Sequence, residues 1–223
     1  MAIKIIVSYD GTANDDDGLA LAKMLAGAGA GLALAYVRHA REYDPQREEI
    51  GQHDAQHRLR QGAIWLGDES LPQHVVVNPS TGEGLVELAE AEGASVIVFG
   101  SDYRTTPGQV EPGASAQGLV EGGTVAIAVA QAGLRTQPER TLAKIAATGP
   151  ETDDAAEQTA SALAAATGAT IAVPTDGDVD LILVGSQPTS PSGRIALSGA
   201  TRLQLDSAHS SALVLPHGKP VLF

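Results

Sequence analysis

Apolar and polar positions fall in alternating blocks of two kinds, short unbroken apolar runs and longer mixed stretches. Ile3–Tyr9 is a continuous apolar run rich in β-branched residues, the pattern of a strand covered on both faces. Asp10-Gly11-Thr12 reads as a turn. Asn14 to Asp17 then supply cap and first-turn carboxylates ahead of a helix expected over Gly18–Leu25. Gly31–Val37 predicts a second strand, and a polar stretch from Arg38 to Gln52 leads into a helix over His53–Leu66. Strand His74–Val77, helix Glu83–Glu92, strand Ala94–Phe99, a short helix Ala114–Glu121 and strand Thr124–Ala130 complete the series. Such alternation predicts an α/β fold: an open, twisted parallel sheet with right-handed crossovers and helices on both faces.

After a polar segment containing Gly133 and Pro138 the pattern restarts. Strand Leu142–Ala147, an Ala-rich helix Thr152–Ala166, strands Thr170–Val173 and Asp180–Val184, a helix Gly199–Ser207 and strand Ala212–Leu215 follow. Val96-Ile97-Val98-Phe99-Gly100-Ser101 aligns with Leu181-Ile182-Leu183-Val184-Gly185-Ser186, so the second half reads as a repeat of the first. It is shortened. Only about six residues separate its second and third strands, too few for the helix of an ordinary parallel crossover. The expected organisation is a complete unit at 1–131, a linker at 132–140 and a truncated second copy at 141–223. The two closing strands, Thr124–Ala130 and Ala212–Leu215, are expected side by side, because either alone would leave an apolar edge open.

Composition narrows the classes of function. Of the 223 residues 43% are hydrophobic but only 3% aromatic, so the core is built from Ala, Val, Leu and Ile. No cysteine is present, which excludes disulfides and thiolate chemistry. The net charge of −13 argues against a nucleic-acid duplex or an anionic membrane as partner. No apolar run approaches the ~20 residues of a membrane span, and Met1 leads straight into the first strand, so a cytoplasmic protein is expected.

The strand ending in Tyr9-Asp10-Gly11-Thr12, the fourth strand with its Gly100-Ser101, and Val77-Asn78-Pro79-Ser80-Thr81-Gly82 ahead of a helix together resemble the universal stress protein family. The resemblance is close over residues 3–130 and partial over 141–216. It implies an adenine-nucleotide α-hydrolase-like, Rossmann-like sheet, with the halves packed as a pseudo-dimer within one chain and a further homodimer open to it. It also implies an adenine nucleotide as ligand, ATP first, with Mg as its companion ion. Asp10, the backbone near Val37, Gly100, Arg104, Gly113 and Ser115 are the candidate contacts. Family members that bind nucleotide carry Gly-x2-Gly-x9-Gly-Ser/Thr after the fourth strand, where glycine backbone approaches phosphate and helix-start N–H groups receive it.

Here Gly100 and Gly113 fit, but Tyr103 stands at the second position and Ala114 at the Ser/Thr position, with Ser115 displaced by one. Asp102 and Glu111 against the lone Arg104 make the loop unwelcoming to phosphate. The second loop carries no acid, yet Pro188 replaces the second glycine, Gly199 arrives one residue late, and Pro150 stands where Asp10 would. Asp15, Asp16 and Asp17 read as helix-start acids, and His53 and His57 as a solvated helix face without a third metal ligand. Trp65 is expected to pack on the sheet. No serine lies in a Gly-x-Ser-x-Gly context, and no catalytic constellation emerges. Three readings follow: a nucleotide-binding regulatory protein, a scaffold acting through protein contacts, and an ATP-using ligase. The last lacks its pyrophosphate loop at Ser8-Tyr9-Asp10-Gly11-Thr12-Ala13.

Overall fold

A computed structural model describes residues 3–150, 153–173, 179–206 and 209–223. In chain order the elements are β1 (Ile3–Ser8), α1 (Ala13–Ala26), β2 (Gly31–Arg38), α2 (Pro45–Leu66), β3 (Gln73–Val77), α3 (Thr81–Glu92), β4 (Val96–Phe99), α4 (Ala114–Val120) and β5 (Ala126–Val129). They continue as β6 (Lys144–Thr148), α5 (Ala155–Thr167), β7 (Thr170–Ala172), β8 (Leu181–Val184), α6 (Gly199–Asp206) and β9 (Ser211–Val214). Thr152 and Ser207, expected in helices, and residues 174–178 lie outside the described residues.

Two helices start a turn or more ahead of the sequence reading. Helix α1 begins at Ala13, not Gly18, because Thr12 and Asp15 form a reciprocal capping box that satisfies the first backbone donors. Asn14 to Asp17 are therefore inside the helix. Helix α2 begins at Pro45, not His53: the Asp44 side chain accepts from the Gln46 N–H, and Pro45 supplies the helical φ without needing its own donor.

All nine strands form one sheet in the order β3-β2-β1-β4-β5-β9-β8-β6-β7. Every neighbouring pair is parallel except β5–β9, which is antiparallel with Ile127 opposite Val214 and Val129 opposite Ala212. The carboxyl ends of β1, β2 and β4 therefore point to one end of the sheet, and those of β6 and β8 to the other. The short crossover from β7 to β8 is explained by register. Ala172 ends β7 level with Ala146, and Leu181 opens β8 level with Ile145, so the chain retraces only about one residue of strand between them.

Each face of the sheet carries one continuous apolar layer. Ile5, Val7, Val96 and Val98 pack with Leu19, Leu21 and Leu25 of α1, Leu59 of α2 and Leu163 of α5; Trp65 lies partly buried against this layer. Ile6, Ile97, Phe99 and Ile127 pack with Leu85 of α3, Val120 of α4 and Leu205 of α6. Both layers cross the β5–β9 seam.

Residues 132–140 are tied down at both ends. Buried Asp17 of α1 accepts from Gly133 N–H (2.9 Å), Arg135 N–H (2.7 Å) and Arg135 Nη1 (2.7 Å). Asp180 accepts from Arg140 Nε and from the Ala143 and Lys144 N–H groups.

Candidate functional site

At the carboxyl ends of β1 and β2 a cavity of about 540 Å³ opens beneath α2. Asp10 borders it from β1, Val37 and Arg38 from β2, and Arg47, Asp54 and Arg58 from α2. Arg38 is 9% exposed and gives both terminal nitrogens to Glu48, at 2.9 and 2.8 Å. That fork pins the first turns of α2 over the end of β2. It holds the Glu48 carboxyl below the usual range and raises Arg38 in turn. The contact needs Gly51, where a Cβ would stand 2.8 Å from Arg38 Nη2. Arg58 Nη1 donates to the Asp10 carbonyl oxygen at 2.7 Å, with its guanidinium carbon 6.0 Å from the Tyr36 ring centre. Arg47 has no hydrogen-bond or ion-pair partner among the described residues.

The turn from β1 into α1 is organised by Asp15. Its Oδ2 accepts from the N–H groups of Asp10 (3.1 Å) and Thr12 (2.9 Å) and from the Thr12 hydroxyl (2.8 Å). Burial, the hydrogen bond to the Asp10 carboxyl and the charge of that carboxyl push Asp15 up to about 7, against the lowering pull of Thr12. The neighbouring Asp16 accepts from the Tyr9 phenol at 3.3 Å. Burial raises both of those groups, Tyr9 well beyond the usual phenol range.

The loop after β4 behaves differently. A Cβ on Gly100 would run into the carbonyl oxygen of Asn14, and one on Gly18 would lie 3.1 Å from the Gly100 nitrogen. The first turn of α1 thus rests directly on the glycine that would face phosphate, and Asn14 Nδ2 donates to the Ser101 carbonyl oxygen at 3.0 Å. Arg104 folds onto its neighbour, 4.8 Å from the Tyr103 ring centre with Nε donating to the phenol oxygen. Gly113 caps α4, and Ser115 borders an adjoining hollow with Ser80 and Thr81, the last of which also lines the main cavity. Of the six anticipated contacts, Asp10 and Val37 share one cavity, and Gly100, Arg104, Gly113 and Ser115 do not line it.

The loop after β8 has the same wiring as the loop after β4. Ser101 Oγ donates to Ala130 O and receives Glu111 N–H; Ser186 Oγ donates to Leu215 O and receives Ala196 N–H. Gly108 N–H reaches Ala132 O as Gly193 N–H reaches His217 O. In the first loop Thr105 Oγ1 lies 3.5 Å from Glu111; in the second Ala196 replaces the acid, and buried Ser190 Oγ has no hydrogen-bond partner among the described residues. Gly149 and Gly185 follow the paired ends of β6 and β8 and lie side by side.

Arg47 escaped the sequence reading because it lies in the polar stretch ahead of the expected helix; Asp54 and Arg58 fall inside that helix, where nothing in residue order shows that they face the end of β1. The Asp44-Pro45 pair was the signal for an earlier start. Asp15 was grouped with its acidic neighbours although Thr12-x-x-Asp15 is a capping pattern. No group of three or more His, Asp or Glu side chains able to hold a metal occurs among the described residues. No described helix is long and apolar enough to cross a membrane.

The sequence pattern that defines the universal stress protein family matches residues 1–131. No curated protein sequence matches the chain. Among solved structures, a functionally unknown protein of Pseudomonas aeruginosa PAO1 is similar at 16% identity and a TM-score of 0.61, over 97% of this chain and 94% of that one. A universal stress protein of Archaeoglobus fulgidus is similar at 12% identity and a TM-score of 0.60, over 97% of this chain and 99% of that one. A putative universal stress protein of Pseudomonas aeruginosa UCBPP-PA14 is similar at 16% identity and a TM-score of 0.61, over 97% and 94%. These likenesses carry the fold.

Proposed function

The chain belongs to the universal stress protein family, and on that premise we propose that it is a regulatory binding protein whose ligand is an adenine nucleotide with a short phosphate tail, held beneath α2. The observation that carries this reading is that Asp10 and Val37 border one cavity while Gly100 is covered by α1. A nucleoside monophosphate suits about 540 Å³, within the usual range for small-ligand sites. Asp10 is set to accept ribose hydroxyls, the β2 end at Val37 to meet the base, and unpaired Arg47 to meet one phosphate. A triphosphate would need a loop that is already packed and that carries Asp102 and Glu111.

We read residues 141–223 as a shortened second copy joined through 132–140, the two packed as a pseudo-dimer through β5 and β9. The matched loop hydrogen bonds support that reading. With Pro150 where Asp10 would stand, the second copy lacks the acid of the first, and we read it as a structural part.

Isothermal titration calorimetry with AMP, and separately with ATP and Mg²⁺, tests the proposal. AMP should bind, Asp10→Ala should weaken it at least about tenfold by loss of a charge-assisted hydrogen bond, and ATP with Mg²⁺ should bind more weakly than AMP. Tighter binding of ATP with Mg²⁺ would return function to the Gly100–Ser115 loop. No heat from either, in a folded sample, would favour the scaffold reading, for which the covered Gly100 is the specific observation.

A further inference from the structure

Resting on the nucleotide reading above, we propose that Asp15 is a positioning residue that makes the cavity proton-sensitive. One proton held between its carboxyl and that of Asp10 sets the charge of the wall that meets the ligand, so an anionic ligand is held more tightly with the proton than without it.

The geometry is that of two carboxyls sharing a site. Asp10 borders the cavity, and one N–H brings the two carboxyls together: that of Thr12 reaches Asp10 Oδ1 at 3.2 Å and Asp15 Oδ2 at 2.9 Å. Asp15 Oδ2 is committed to two N–H groups and the Thr12 hydroxyl, so this carboxyl fixes the backbone that aims Asp10. Two like charges at hydrogen-bond range resist joint ionisation, and one proton bridging them resolves the conflict.

The other groups facing the pair come from three elements. Arg58 of α2 lies on the Asp10 carbonyl oxygen. Asp16, one residue on in α1, is engaged by Tyr9 of the β1 end and feels Arg135 beyond it. The loop after β4 brings the Gly100 backbone, and a Cβ there would stand 3.3 Å from the Asp15 nitrogen. A single cation at the pair does not balance two carboxylates. Loss of the proton therefore adds an uncompensated negative charge to the wall of the cavity that holds the anionic ligand. The raised Asp15 puts that loss near neutral pH.

The test compares wild type with Asp15→Asn in AMP titrations between pH 6 and pH 8. The amide is isosteric: its NH₂ donates to Asp10 where the proton stood, and its carbonyl accepts the Thr12 N–H, so the variant is fixed in the protonated arrangement. AMP's own phosphate changes charge near pH 6, so the readout is the ratio of wild-type to variant affinity. That ratio should fall about tenfold from pH 6 to pH 8, within the tenfold per pH unit that one proton allows. Carboxyl ¹³C NMR of the ligand-free protein should show an Asp titrating near neutral pH that Asp15→Asn removes. A constant ratio, or no Asp titrating above about pH 5.5, overturns the proposal while leaving the nucleotide reading intact. Absence of AMP binding at every pH sinks both.

Discussion

Asp15, Asp16 and Asp17 are neighbours with one sequence signal, acids at a helix start, and the fold gives them three different tasks. Asp15 caps the helix and meets Asp10, Asp16 takes the Tyr9 phenol, and Asp17, 1% exposed, clamps the segment after β5. The Thr12-x-x-Asp15 spacing is a local mark of the cap, but nothing local marks Asp17, whose partners lie 116 and 118 residues further along the chain. Asp10 and Val37 were legible because each sits at a strand end, which the apolar pattern locates. Removing the Asp17 carboxylate strands two N–H groups and the Arg135 guanidinium. Asp17→Ala should therefore lower stability by about 3 kcal/mol, read as a shifted midpoint in urea denaturation. A change below about 1 kcal/mol would mean that the clamp is spectator packing.

At the scale of elements, the inner strands were legible because they are buried on both faces and read as unbroken apolar runs, and the partly exposed edge strands β3 and β7 because turn signals or a helix end set off their short apolar runs. Helices α3, α4 and α5 were nearly as clear. Helix α2 was misplaced at its start because its first turns face solvent and the cavity and carry no apolar stripe; only the Asp44-Pro45 cap marks them. Those turns hold Arg47, so the cap is coupled to the site. Asp44→Ala should cost about 1 kcal/mol of stability and loosen the turn that presents Arg47, weakening AMP severalfold while leaving the Arg38–Glu48 fork in place. Circular dichroism and AMP titration of the same sample check both parts. Stability loss with unchanged AMP affinity would separate Arg47 from the ligand.

Over the whole molecule, the antiparallel β5–β9 seam joins two parallel sets into one sheet, and the apolar layers on both faces run across it. The seam was anticipated from the need to cover two apolar edges. The covering of Gly100 was not, since it depends on how closely α1 approaches β4, a distance with no counterpart in residue order. The account as a whole turns on where a nucleotide sits, and amide chemical-shift mapping of the ¹⁵N-labelled protein with AMP answers that directly. Shifts should concentrate at Ser8–Asp10, around Val37 and along Arg47–Arg58, with the segment Asp102–Ser115 undisturbed. Shifts centred on Gly100–Ser115, or on the loop after β8, would contradict it.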